Sequence, residues 1–234
     1  FLCEIFNNLY KKIMAQTALL KSSIARKVAM ALSGLFLITF LSLHFFINMI
    51  SVFSADTFNA MSHFMGYNPV IQFVMQPILI AGVVFHFVMG IVLELQNKKA
   101  RPVAYAKYDG AANASWASRN MIIPGLVVSA FLGLHFYDFW VHEITYKYVE
   151  VGAINETRYF EELVHKFESP VRTGIYVGAF VLLALHLWHG FSSSFQSVGF
   201  NNKFSSTIQK LGYAFAIVVP FGFIFIALFH HFNH

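Results

Sequence analysis

Five apolar runs, near residues 28–53, 70–95, 120–142, 171–195 and 208–232, each reach the roughly 20 residues that a helix needs to cross a bilayer's hydrocarbon. Lipid offers no hydrogen bonds, so each run must satisfy its own backbone as a helix. The feature predicts an all-α polytopic bundle of five transmembrane helices. A residue content that is 57% apolar and 12% charged, with a mean hydropathy of +0.60, agrees with one membrane domain over 28–234. Residues 1–27 read as a separate amino-terminal segment. Asn68-Pro69 and Ser169-Pro170 place a capping side chain ahead of a first-turn proline. Pro77, Pro124 and Pro220 fall inside runs, where they are expected to kink the helices.

The charges set a direction. Lys11, Lys12, Lys21, Arg26 and Lys27 precede the first run, and Lys98, Lys99, Arg101, Lys107 and Arg119 fill the second loop. The first loop has no Lys or Arg. The third is acidic, with Glu143, Glu150, Glu156, Glu161, Glu162 and Glu168 against Lys147, Arg158 and Lys166. Positive-inside puts the amino terminus in the cytoplasm. The net charge of +5 and pI near 9.3 are therefore a topology signal, not a nucleic-acid footprint. Cys3 is the single cysteine, which excludes an intrachain disulfide framework and an iron–sulfur cluster held by this chain alone. Residues 1–13 read as an upstream extension or an interfacial amphipathic piece built on Leu2, Ile5, Phe6 and Leu9. The first run lacks the small-residue pattern of a cleaved signal peptide.

Four of the runs carry a histidine in their interior: His44, His86, His135 and His186. An ionisable group at that depth is costly and points to a partner. Each lies about fifteen or sixteen residues into its run, and alternate runs point opposite ways. His44 and His135 therefore share the outer half of the membrane, and His86 and His186 the inner half. At ~1.5 Å per residue the two levels differ by roughly 10–15 Å. Two bis-histidine sites at two depths suit two haem b groups stacked for electron transfer. Gly82 and Gly90 flank His86, and Gly190 follows His186, so a side-chain-free surface lies one turn from these imidazoles where a flat macrocycle can rest. The same spacing also serves close helix packing. His189 is an alternative to His186; the His-x-x-x-Gly repeat favours His186. His142, His230, His231 and His234 lie at run ends, where no special role is needed. His63 and His165 fall in outer loops and read as solvated.

With these histidines go four stretches: Ala31-Leu32-Ser33-Gly34-Leu35-Phe36 leading to His44, the run from His86 to Arg101-Pro102, His135-Phe136-Tyr137-Asp138-Phe139-Trp140, and His186-Leu187-Trp188-His189-Gly190-Phe191. Together they make the chain resemble the dihaem cytochrome b subunit of succinate:quinone oxidoreductases, the group of succinate dehydrogenase and fumarate reductase, and within it a Bacteroidetes-like branch. The resemblance covers nearly everything from Met14. It implies a respiratory-chain and tricarboxylic-acid-cycle role in a bacterial cytoplasmic membrane. It further implies a flavoprotein subunit holding the dicarboxylate site, an iron–sulfur subunit, a quinone substrate, expected to be menaquinone, and assembly as single complexes or a dimer of complexes. In the family, His44, His86, His135 and His186 match the axial iron ligands. His189 and the long acidic third loop depart from the pattern.

Bis-histidine ligation fills both axial positions and favours electron transfer over oxygen chemistry. The absence of a Cys-x-x-Cys-His motif means non-covalent attachment. Propionates need cationic or hydrogen-bonding partners: Arg26, Lys27, Lys98, Lys99 and Arg101 on the inner side, Arg172 and Asn48 on the outer. Quinone chemistry needs a proton donor or acceptor beside an apolar slot, for which His63, Asp138 and Glu94 are the candidates, none within a recognisable motif. Two other readings stay open: a dihaem cytochrome b serving another quinone-linked dehydrogenase, such as a formate dehydrogenase or hydrogenase, and a haem-free transporter whose histidines relay protons.

Overall fold

The structure is a computed structural model that describes residues 22–99, 121–200 and 202–233. The described residues are helical, without a strand. Helix α1 spans Ser23–Ile50, α2 Ala55–Tyr67, and α3 begins as a wide π turn, Ile71–Met75, before Gln76–Lys99. Helix α4 spans Ile122–His135, widens into a π stretch at Phe136–Val141 and closes as His142–Tyr148. Helices α5 (Arg158–Glu168), α6 (Pro170–Ser197) and α7 (Ser205–Asn233) complete the chain. Five stretches are long and apolar enough to cross a membrane: Ser23–Ile50, Ile71–Lys98, Ile122–Tyr148, Pro170–Ser197 and Ser205–Asn233.

The helix starts follow the sequence signals. Asn68 Oδ1 accepts from the backbone N–H groups of Val70 (3.0 Å) and Ile71 (3.3 Å), and Ser169 Oγ accepts from Arg172 N at 3.4 Å with Pro170 in the first turn. The three prolines differ in effect. Pro124 lies in the first turn of α4, where its missing N–H has no intrahelical partner to lose, so it belongs to the start of the helix and not its interior. Pro77 directly follows the π turn, in which the Gln76 N–H reaches back to the Ile71 carbonyl. Pro220 lies within the body of α7.

Four helices form a square. Close packings join α1 to α3, α3 to α4, α4 to α6 and α6 to α1; α1 then faces α4 across one diagonal, and α3 faces α6 across the other. Helix α7 packs outside the square, on α6 and α1. At one end α2 and α5 pack on one another and on the bundle. Phe58, Leu163 and Phe167 from these short helices join Tyr176, Phe180 and Phe223 in a buried core. Both were expected to be loops. Helix α2 forms because Ser54 caps it, accepting from Thr57 N at 3.2 Å, with Asp56 in the first turn. Helix α5 forms because Phe160, Leu163 and Phe167 share one face at helical spacing and bury it.

Candidate functional site

Both diagonals of the square are bridged by histidine rings. His44 of α1 and His135 of α4 meet at 5.6 Å between centroids and 84° between planes. His86 of α3 and His186 of α6 meet at 6.3 Å and 75°. These are the pairs that depth alone assigns.

Their separation can be measured along two independent helices. Gly34 of α1 lies under His86, where an added Cβ would meet the imidazole Cε1 at 3.4 Å; Gly125 of α4 lies under His186, 3.6 Å from Cε1 and 3.7 Å from Nδ1. Gly34 precedes His44, and Gly125 precedes His135, by the same ten residues. Ten residues of helix are ~15 Å, the upper end of the range expected. In both cases the Nδ1–Cε1 edge rests on a neighbouring helix that has no side chain there. These two glycines escaped sequence reasoning, although the repeated Gly-x9-His spacing was there to be read. The expected glycines serve neighbouring helices instead: a Cβ on Gly82 would meet Phe36 at 2.8 Å, on Gly90 the Met30 methyl at 3.6 Å, and on Gly190 the Met121 methyl at 3.1 Å.

The second nitrogen of each ring has a distinct environment. His86 Nδ1 is 2.9 Å from Ser33 Oγ. Asn48 Nδ2 donates to the His44 carbonyl at 2.8 Å and stands 3.4 Å from His44 Nδ1, which uses the amide that was expected to meet a propionate. His135 Nδ1 and His186 Nδ1 are buried without a hydrogen-bond partner among the described residues. His189, half-buried on α6, makes no ring pairing with His86 among the described residues; that place is taken by His186.

Beyond His135, within the π stretch, the Asp138 carboxylate is fully buried. It accepts from the Arg172 guanidinium through Oδ1 and from Tyr176 OH, at 2.8 Å, through Oδ2. Tyr176 in turn lies edge-on 6.2 Å from His135. A carboxylate so engaged is a structural anchor between α4 and α6, and Arg172 is committed to it. Glu94 forms an i,i+4 pair with Lys98 at 3.2 Å and stands apart from both histidine pairs.

His63 is not in a solvated loop: it sits on α2, stacked on Tyr67 at 4.4 Å and edge-on to Tyr159 at 6.3 Å, with Nε2 3.8 Å from Glu156. It borders an ionic cap over this end of the bundle. Arg158, 5% exposed, pairs with Glu143 and, at 2.6 Å, with Glu162, and its guanidinium lies between the rings of Tyr146 and Tyr159. Lys147 pairs with Glu143 at 2.5 Å, donates to the Gly66 carbonyl at 2.6 Å and lies over Tyr67. Burial opposes the charge on Arg158, but Glu143 and Glu162 outweigh it and hold the guanidinium above the ordinary arginine range. Burial, reinforced by Glu143, pushes the Tyr159 phenol up. Two of the third loop's six glutamates, Glu143 and Glu162, thus turn inward to balance Arg158 and Lys147, while Glu150, Glu156, Glu161 and Glu168 stay exposed.

His165 is exposed beside Glu168, and His142 is exposed beside Glu162. His231 Nδ1 donates to the Phe167 carbonyl at 2.7 Å. His230 departs from its expected bland interfacial setting: it is fully buried, 2.8 Å from Ser51 Oγ and edge-on to Phe160 and Phe229. Between the first turns of α3 and the end of α4, Gln72, Gln76, Pro77, Trp140, Ile144 and Tyr148 line an open cleft of about 140 Å³. Residues 1–21, Arg101, Lys107, Arg119 and His234 lie outside the described residues, as does the side chain of Lys99.

Two opposed donors per level, with no cluster of three or more His, Cys, Asp or Glu among the described residues, do not complete the coordination sphere of a bare metal ion. They do suit a metal whose other positions come from a planar ring. An iron–imidazole bond of ~2 Å on each side puts ring centroids ~6 Å apart, close to both observed separations. The glycine beds under two of the rings fit the same group. Comparison with family models, curated proteins and solved structures finds no match.

Proposed function

We propose that this chain is the membrane-anchor cytochrome b subunit of a succinate:quinone oxidoreductase. The observation that carries the reading is the placement of one histidine pair across each diagonal of the bundle, at levels ~15 Å apart. Haem b, when bound, supplies one-electron chemistry with both axial sites filled. The residues supply the rest. His44 with His135 and His86 with His186 act as neutral opposed donors, and the apolar helices exclude water from them. The rigid helical spacing keeps the two levels at electron-transfer distance.

In this proposal the basic second loop and amino-terminal segment face the cytoplasm, where a flavoprotein and an iron–sulfur subunit dock. The His86/His186 level is then the inner one, and the ionic cap faces outward. The protein resides in a bacterial cytoplasmic membrane. The cleft between α3 and α4 supports a quinone at the outer level: its walls are apolar, and at its edge Gln72 donates to Tyr148 and Trp140 to Gln76, which leaves the Tyr148 hydroxyl proton and the Gln76 amide N–H groups to reach quinone oxygens. It replaces Asp138 and Glu94, which are engaged elsewhere, as the place to test first.

The test is purification of the intact complex with a pyridine haemochrome assay, reduced-minus-oxidised spectra, and succinate–quinone and quinol–fumarate turnover. Two b-type haems per chain are expected. His44→Ala and His135→Ala should remove one spectral component, and His86→Ala and His186→Ala the other. A chain without an α-band would refute the cytochrome reading, and loss of the same component in His44→Ala and His86→Ala would refute the pairing.

A further inference from the structure

Resting on the cytochrome reading, one inference concerns how His86 is prepared for its role. Ser33 Oγ makes two short contacts, 2.8 Å to the Met30 carbonyl and 2.9 Å to His86 Nδ1. Each contact needs a proton between its heavy atoms. The hydroxyl has one, and the Met30 carbonyl can only accept, so the hydroxyl donates to Met30. The proton in the second contact must then be carried by the imidazole.

We propose that Ser33 is a positioning residue that fixes His86 as the Nδ1–H tautomer, leaving Nε2 as the nitrogen free to bind a metal. The hydroxyl is held in place by the turn of α1 that it bonds to. Gly34, next in sequence, lets the Nδ1–Cε1 edge of the ring lie against that turn. The opposite member of the pair lacks this device. On α4 the residue preceding Gly125 is Pro124, which has no hydroxyl, and His186 Nδ1 is without a partner among the described residues. The two donors at this level are therefore inequivalent: one has its basicity raised by a hydrogen-bond acceptor behind it and the other does not. A more basic imidazole favours ferric over ferrous iron, so the Ser33 contact holds the potential of this level down.

The experiment compares Ser33→Ala, Ser33→Thr and a control, Ser42→Ala, in the purified complex. Ser42 is an exposed α1 serine that bonds only to the Ile38 carbonyl among the described contacts. Readouts are haem content, a potentiometric titration of the two components, and the solid-state 15N shifts of the histidine side chains. Ser33→Ala should move only the component that His86→Ala removes, toward higher potential; a tenfold loss of preference for the ferric state is 59 mV for one electron. Ser33→Thr should return it toward the wild-type value, and Ser42→Ala should move neither. If Ser33→Ala loses that haem outright, retention in Ser33→Thr supports the role and loss in both refutes it. An unmoved potential, or a shift in the other component, also overturns the proposal. The 15N spectrum separates this inference from the cytochrome reading: a chain that holds no haem but shows His86 protonated at Nδ1 refutes the latter alone, and His86 protonated at Nε2 refutes the former.

Discussion

Removing Arg172 should harm the protein more than removing the carboxylate it pairs with. Asp138 has no exposure, whereas the Arg172 side chain is 31% exposed. In Arg172→Met the carboxylate stays buried with only the Tyr176 hydroxyl for company. An uncompensated buried charge of this kind costs about 3–5 kcal/mol. In Asp138→Asn the guanidinium can turn to solvent or headgroups, and the amide can still use Tyr176; the loss should approach that of one charged hydrogen bond, about 1.5–3 kcal/mol. Combining the two changes removes both charges, so the double variant should be more stable than Arg172→Met alone. At about 2–4 °C per kcal/mol for a chain of this size, Arg172→Met should lower the midpoint of thermal unfolding in detergent by roughly 6–20 °C. The assay is intrinsic-fluorescence melting of the four proteins under one detergent and lipid condition. Should Asp138→Asn melt below Arg172→Met, or the double variant melt below both, the argument from unequal burial is wrong.

His189→Ala should keep both absorption components, while His186→Ala loses the one shared with His86; iron bound to His189 in a spectroscopic or diffraction study would reverse the assignment. Gly125→Ala should be tolerated, since its Cβ would find His186 at ordinary contact distances of 3.6 and 3.7 Å, whereas Gly34→Val meets Ser194 at 3.0 Å with its first carbon and should disturb the His86 component; overpacking of this kind costs about 1–3 kcal/mol. Tyr159 should stay protonated through the ordinary tyrosine range in an ultraviolet titration, because burial and then Glu143 raise it. Its unfolded form gives up the proton first, so this contribution is complete at neutral pH and falls as pH rises past that range; a normal phenolate transition assigned by Tyr159→Phe would count against the cap as described.

Height was legible in the sequence because a helix has a fixed rise and a bilayer a fixed thickness, so His44, His86, His135 and His186 could be sorted into two levels by counting. Azimuth was not. Which helix lies beside which follows from packing, so Gly34 and Gly125 could not be matched to their imidazoles, and Ser33 could not be matched to His86. Asp138 was visible as a carboxylate in an apolar run, and three residues past His135 it keeps to the same side of α4, but its partners Arg172 and Tyr176 on α6 could not be matched to it. His230 looked interfacial because Phe160, which packs on it, belongs to α5, a helix read as a loop. The signals of α2 and α5 were present: a serine cap before Asp56, and the Phe160, Leu163 and Phe167 stripe. The acidic count of the third loop concealed the pairing of Arg158 and Lys147 with Glu143.

The diagonal placement of the histidines has a consequence for how such a protein can come into being. Cut between residues 99 and 121, the chain yields two fragments, one carrying His44 and His86 and the other His135 and His186. Neither fragment holds a complete pair, since each ring has its counterpart in the other. Ten residues of helix turn through about 80° short of three full revolutions, so α1 addresses α3 with Gly34 and α4 with His44, and α1 and α4 each serve both levels. Both sites must therefore be born in the same act that joins the two fragments. On the proposed reading, a haem bound between the two halves would also help to hold them together.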